Sequence, residues 1–138
     1  MLTVKELVEL LEIQQPNDFW YDVEEDIVEE NLKNFTVEDW KVFQTMIPFN
    51  SNDANICLAN SLFELDNQHA LECVDKIVQL NNDKNVLREC IMWFKNKDKF
   101  SLLSSESNKK ILQNKEEICS TKNDFYDKEL LSIYEKFE

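Results

Sequence analysis

Apolar positions recur along this chain at the three- and four-residue spacing of helices that face a core, and between Asn52 and Phe94 the pattern repeats. Three segments follow one another there: NDANICLANSLFEL, NQHALECVDKIVQL and KNVLRECIMWF. When Cys57, Cys73 and Cys90 are superimposed, the position three before reads Ala54, Ala70 and Leu87. The position after reads Leu58, Val74 and Ile91, and the position four after reads Ser61, Ile77 and Phe94. The steps are 16 and 17 residues, so two of them make a helix pair of the length used in helical repeat arrays. Short polar links at Asp66-Asn67 and at Asn81-Asn82-Asp83 oblige successive helices to pack as antiparallel neighbours. Residues 52–95 therefore read as a central three-helix stack on which the flanks lean.

The flanks follow the same logic. Thr3 with Glu6 makes a capping box ahead of Val4, Leu7, Val8, Leu10 and Leu11, so a first helix is expected to run to about Gln15, before Pro16. A second begins near Asn17 or Asp18 and runs through FWYDVEEDIVEENLKNF. At about 100° per residue, Val23, Ile27, Val28 and Leu32 share one half of its wheel, and Asp22, Glu25, Asp26, Glu29 and Glu30 share the other. Thr36 caps a third helix, with Asp39 as reciprocal partner and Trp40, Phe43 and Ile47 facing inward until Pro48. Beyond Phe94 the lysine-rich stretch NKDKFSLLSSESNKK keeps only Phe100, Leu102 and Leu103 as apolar marks. It predicts a loop and then a short helix over about Ser105 to Asn114. A final helix runs from Asp124 to Phe137, carrying Phe125, Leu130, Leu131, Ile133, Tyr134 and Phe137. No segment reads as a strand, so the expected fold is all-α over a single domain, 1–138. Its expected architecture is a short HEAT-like solenoid of seven or eight stacked antiparallel helices.

Composition sharpens this picture by what it omits. The 138 residues contain no glycine, so no motif that depends on it can be written here, including the P-loop, the dinucleotide fingerprint, the EF-hand turn and the serine-hydrolase elbow. Asparagine, which also tolerates the left-handed conformation, stands where helix ends would want it, at Asn34, Asn50, Asn81, Asn96 and Asn114. The four cysteines are separated by 16, 17 and 29 residues, unlike the close pairs of zinc sites. Cys57, Cys73 and Cys90 share one phase of the core stripes and read as reduced core thiols; neither metal nor cofactor is expected. No stretch is apolar enough to span a bilayer, and Met1 to Glu6 lacks the layout of a secretory signal, which predicts a cytoplasmic protein.

Charge is the feature that speaks to function. The net charge of −13 is concentrated: residues 1–40 hold 12 acids and 2 lysines, whereas residues 81–138 hold 11 of each sign. Such a surface repels nucleic acid and anionic membrane and attracts a basic protein. His69, the single histidine, reads as a surface or capping residue near Asp66. Acids one turn apart on a solvated helix share one environment, so they do not divide into a catalytic acid and base, and an enzyme is not expected. DVEEDIVEE places six acids in nine residues, more than helix-dipole capping needs, and neighbouring carboxylates repel. The expected contact set for a basic partner is Trp20, Tyr21, Asp22, Glu25, Asp26, Glu29 and Glu30, with the carboxylates steering and the aromatics anchoring.

Taken together, DVEEDIVEE, the FTVEDW cap and helix, and the repeat around Cys57, Cys73 and Cys90 resemble the immunity proteins of bacterial toxin–immunity systems, particularly those of contact-dependent growth inhibition. The resemblance implies a protein that binds a cognate toxin domain, forms a 1:1 heterodimer with it and blocks its active site or substrate path. Many such toxins are nucleases with basic clefts, where an acidic inhibitor takes the place of the phosphate backbone. The other reading of the same repeat is a helical adaptor that holds another protein or peptide in the groove of the stack.

Overall fold

The computed structural model describes residues 1–47, 49–95, 97 and 103–136. Pro48, Asn96, Phe100, Leu102 and Phe137, which the sequence pattern drew on, lie outside them. Every regular element among the described residues is helical: α1 (Val4–Glu12), a π-helical turn (Trp20–Glu24) running directly into α2 (Glu25–Lys33), α3 (Val37–Thr45), α4 (Asn52–Leu62), α5 (Gln68–Leu80), α6 (Lys84–Met92), α7 (Ser105–Gln113), α8 (Lys115–Ile118) and α9 (Asp124–Glu135).

Local chemistry starts these helices where the sequence places them. Both capping boxes form: Thr3 Oγ1 accepts from Glu6 N–H while Glu6 accepts from Thr3 N–H, and Thr36 and Asp39 do the same. Ser51, Asn67, Asp83, Ser104 and Asn123 cap α4, α5, α6, α7 and α9 with their side chains. All twelve aligned positions of the repeat, from Ala54 to Phe94, are buried. α4 packs against both α5 and α6, and helices two apart in sequence lie side by side: α1 on α3, α2 on α4, α4 on α6, α5 on α7 and α6 on α8. Two of the large polar aromatics sunk in this core donate to backbone carbonyls. Trp93 Nε1 donates to the Leu62 carbonyl at 2.8 Å, and the Tyr134 hydroxyl donates to the Ile111 carbonyl at 2.8 Å.

The helices end by chemistry the sequence did not suggest. Among the described residues only Lys122, with φ of 69°, adopts the left-handed conformation. Asn34, Asn81 and Asn114 do terminate α2, α5 and α7, but with negative φ. Each instead turns its own side-chain amide back to the carbonyl four residues earlier, Glu30, Ile77 and Lys110 respectively, at 2.8 Å. α1 stops at Glu12 rather than Gln15, because the Gln14 side chain takes the Leu10 carbonyl at 3.0 Å and Ile13 stands 76% exposed. Cations close other ends. Lys110 Nζ donates to the carbonyls of Val78, Gln79 and Asn81 at 2.8 to 3.0 Å, and Lys97 Nζ to those of Phe63 and Trp93 at 2.8 and 2.6 Å. Arg88 reaches the carbonyls of Ile118 and Glu117, and Lys76 that of Gln44. Orphan carbonyls at a helix C-terminus carry partial negative charge, so an ammonium placed there satisfies hydrogen bonding and dipole together.

The described helices number one more than the upper expectation because Lys115–Ile118, inside a stretch with no clear pattern, forms its own turn after Asn114.

Candidate partner-binding surface

The acidic segment is shaped by its wide turn. Asn17 caps it, its Oδ1 accepting from Trp20 N–H at 3.2 Å, so the helix starts where the sequence indicated. The Glu25 N–H then donates to the Trp20 carbonyl, five residues back, which inserts one residue into the turn. In an ordinary helix Trp20 would stand about 80° from Val28 and about 120° from Leu32. The wide turn brings all three onto one buried stripe, with Trp20 fully enclosed and its Nε1 donating to Asn60 Oδ1 on α4 at 3.1 Å.

This rearrangement divides the expected contact set. Trp20, expected as an interfacial anchor, belongs to the core and has no surface to offer; of the two expected aromatics only Tyr21, 43% exposed, reaches the surface, beside Phe19 at 59%. Val23 and Ile27, expected to face inward, are turned out to 44% and 42% exposure. The acids fall on two flanks of the helix. Glu25 and Glu29 are half-buried on the flank toward Glu64, where burial first, then Glu29, Asp26 and Glu64, hold Glu25 above the ordinary carboxylate pKa. Asp26 and Glu30 are exposed on the flank toward the start of the chain, and Asp22 is exposed near the turn.

The second flank opens onto a feature absent from the sequence reading. Ile27 sits between two shallow hollows, one lined by Met1, Asp26, Glu30 and Asn31, the other by Leu2, Glu6, Glu9, Leu10, Ile13 and Glu24. Together they make a seam between α1 and α2 with an apolar floor and a rim of carboxylates. Leu2 is tied to its far wall through a hydrogen bond from its N–H to Asn31 Oδ1 at 3.0 Å. Ile27, which an uninterrupted wheel groups with the inward Val28 and Leu32, was the available signal for this seam.

Few of these acids are neutralised. Among the described residues, the carboxylates of 1–40 form ion pairs only between Glu29 and Lys33, at 2.8 Å, and between Glu38 and Lys41, at 3.4 Å, each within one helix. Arg88 and Lys110, from the half of the chain with balanced charge, are directed at helix-end carbonyls.

The remaining reactive groups are placed for structure. His69 stacks on Trp40 with ring centroids 5.5 Å apart and planes 10° from parallel. Cys57, Cys73 and Cys90 are buried, unpaired thiols, and burial pushes Cys57 and Cys73 up to about 12. Among the described residues no cluster of His, Cys, Asp or Glu is arranged to hold a metal ion, and no helix is long and apolar enough to cross a membrane. Comparisons of the chain with protein-family models, with curated proteins and with solved structures find no match.

Proposed function

We propose that this chain is an immunity protein: a cytoplasmic binder that neutralises a cognate basic toxin domain, most simply a nuclease, by covering its active site or substrate path in a 1:1 complex. The supporting observation is the contrast between carboxylates and cations. Among the described residues, ten of the twelve acids in the opening forty make no ion pair, and five of them, Glu6, Glu9, Glu24, Asp26 and Glu30, line an apolar seam, while Arg88 and Lys110 are engaged with the protein's own backbone. Unpaired carboxylates in such density repel one another and weaken the fold that carries them, so their retention favours a role in attraction. The seam supplies what charge alone lacks, a desolvated apolar contact in which a partner's side chains can be held once steering has brought them close.

The contact set is revised accordingly to Tyr21, Asp22, Val23, Asp26, Ile27 and Glu30, with Trp20 as the buried support beneath. The test uses the reading frame adjacent to this one. Its C-terminal domain is expressed with and without this chain, growth is followed, and association of the purified proteins is measured by stopped flow. Growth arrest relieved by this chain, with association slowed by salt and by D22K/D26K/E30K, is the expected result. A neighbour with no toxicity, or an association rate indifferent to both salt and charge reversal, removes the proposal.

A further inference from the structure

On the other flank of the acidic helix lies a hollow of about 230 Å³ between α4, α6 and α9, lined by Ala59, Asn60, Phe63, Glu89, Met92 and Tyr126. Its walls are aromatic and aliphatic, and its one ionisable acid, Glu89, is half-buried. Among the described residues, the Glu89 carboxylate and the hydroxyls of Tyr21 and Tyr126 take part in no hydrogen bond or ion pair. The adjacent Arg88 lies close enough for its charge to act on Glu89 but makes no ion pair with it, its guanidinium donating instead to the carbonyls of Ile118 and Glu117 and to Asn85 Oδ1. Asn60 is held from behind by Trp20, which fixes that wall.

We infer that this hollow is a slot for one arginine side chain of a basic protein partner, with the guanidinium against Glu89 and its plane against the ring of Tyr126, the Phe63 ring already carrying the Lys97 ammonium 4.8 Å from its centroid. A carboxylate left half-buried without a direct hydrogen-bond or ion-pair partner is an unfavourable arrangement that an incoming cation relieves. Arginine suits it better than lysine: its flat guanidinium is more weakly hydrated, forms paired bonds to a carboxylate and stacks on aromatic faces. Burial raises the Glu89 pKa, the Arg88 charge partly offsets this and Glu25 adds to it, while the Tyr126 hydroxyl is pushed up to about 12 by burial and by Glu89. The inference takes its partner class from the proposed function, but its chemistry from the hollow alone.

Arginine amide titrated into the isotopically labelled protein, with citrulline amide and lysine amide as controls, tests it by nuclear magnetic resonance. Saturable shifts confined to Tyr21, Phe63, Glu89, Met92 and Tyr126 are expected with arginine amide. Citrulline amide, its uncharged isostere, and E89Q should each weaken the response by about tenfold or more. M92K, which puts a resident ammonium at the hollow, should abolish it and serves if E89Q does not fold. No saturable response, an equal response to citrulline, lysine binding as tightly as arginine, or arginine binding unchanged in a folded variant overturns the slot. Loss of the slot leaves growth rescue to decide the immunity reading on its own, and failed rescue with intact arginine binding removes that reading alone.

Discussion

The indole Nε1 of Trp20 donates to Oδ1 of Asn60 at 3.1 Å, joining residues forty apart in the chain. Through it the opening acidic helix is fastened to the central stack, and the seam on one side and the arginine slot on the other are held in fixed relation.

Replacing Trp20 is therefore expected to damage the fold first and any binding second. W20A should lower unfolding free energy by about 3–5 kcal/mol, the range for removing a large buried aromatic. W20F keeps most of the volume but strands Asn60, for a loss of about 1–3 kcal/mol. Urea unfolding monitored by circular dichroism measures both.

Lys110 should matter to stability far more than a surface lysine does. K110M removes three hydrogen bonds to the end of α5, and because these are charge-assisted a loss of about 1.5–3 kcal/mol is expected. K84M, at an exposed first-turn position of α6, should change stability by no more than about 0.5 kcal/mol. Equal effects in chemical denaturation would mean that the backbone contacts of Lys110 contribute nothing.

Stability should also respond to pH through Glu25 and Glu89. Both carboxyls are held above their ordinary value of 4.5, chiefly by burial, so the folded state favours their protonated forms. Ionisation then costs stability above the folded-state pKa and nothing below 4.5. E25Q and E89Q should accordingly melt higher than the parent at neutral pH and converge with it in acid. Thermal melts across that window decide it; a variant less stable at neutral pH contradicts the assignment.

Thiol reactivity should separate the cysteines. Cys57, Cys73 and Cys90 are buried, whereas Cys119 is only half-buried, with a smaller upward push. Ellman's reagent should titrate one thiol in the native protein and four after unfolding in guanidinium.

What was legible in the sequence was mostly short-range or periodic. Thr3 and Glu6, or Thr36 and Asp39, carry their capping instructions within four residues, and the stripe through Cys57, Cys73 and Cys90 repeats a pattern that only burial explains. The misread features depend on partners distant in the chain. The burial of Trp20 depends on Asn60, and an aromatic next to a run of acids reads equally well as an anchor or as core. The destinations of Lys97 and Lys110 depend on which helix ends lie beside them after folding. Asn34, Asn81 and Asn114 were assigned to the right places by composition, but their role comes from side-chain reach, which residue preference does not encode. For the candidate surface, the carboxylates could be counted in advance, whereas the seam at Ile27 required the phase of the helix.

The wide turn carries a further consequence for how this segment tolerates changes in length. In an unbroken α-helix, residues seven apart lie nearly in line, so a chain shortened by one position within Tyr21–Glu24 would still stack Trp20 over Val28 and Leu32 without any distortion. Such a single-codon deletion should leave the interior almost untouched while rotating the outward-facing side chains that precede Glu25. Length variation at this point would thus reset which side chains face outward ahead of Glu25 while the buried stripe stays in place, a change that no substitution in the core could produce.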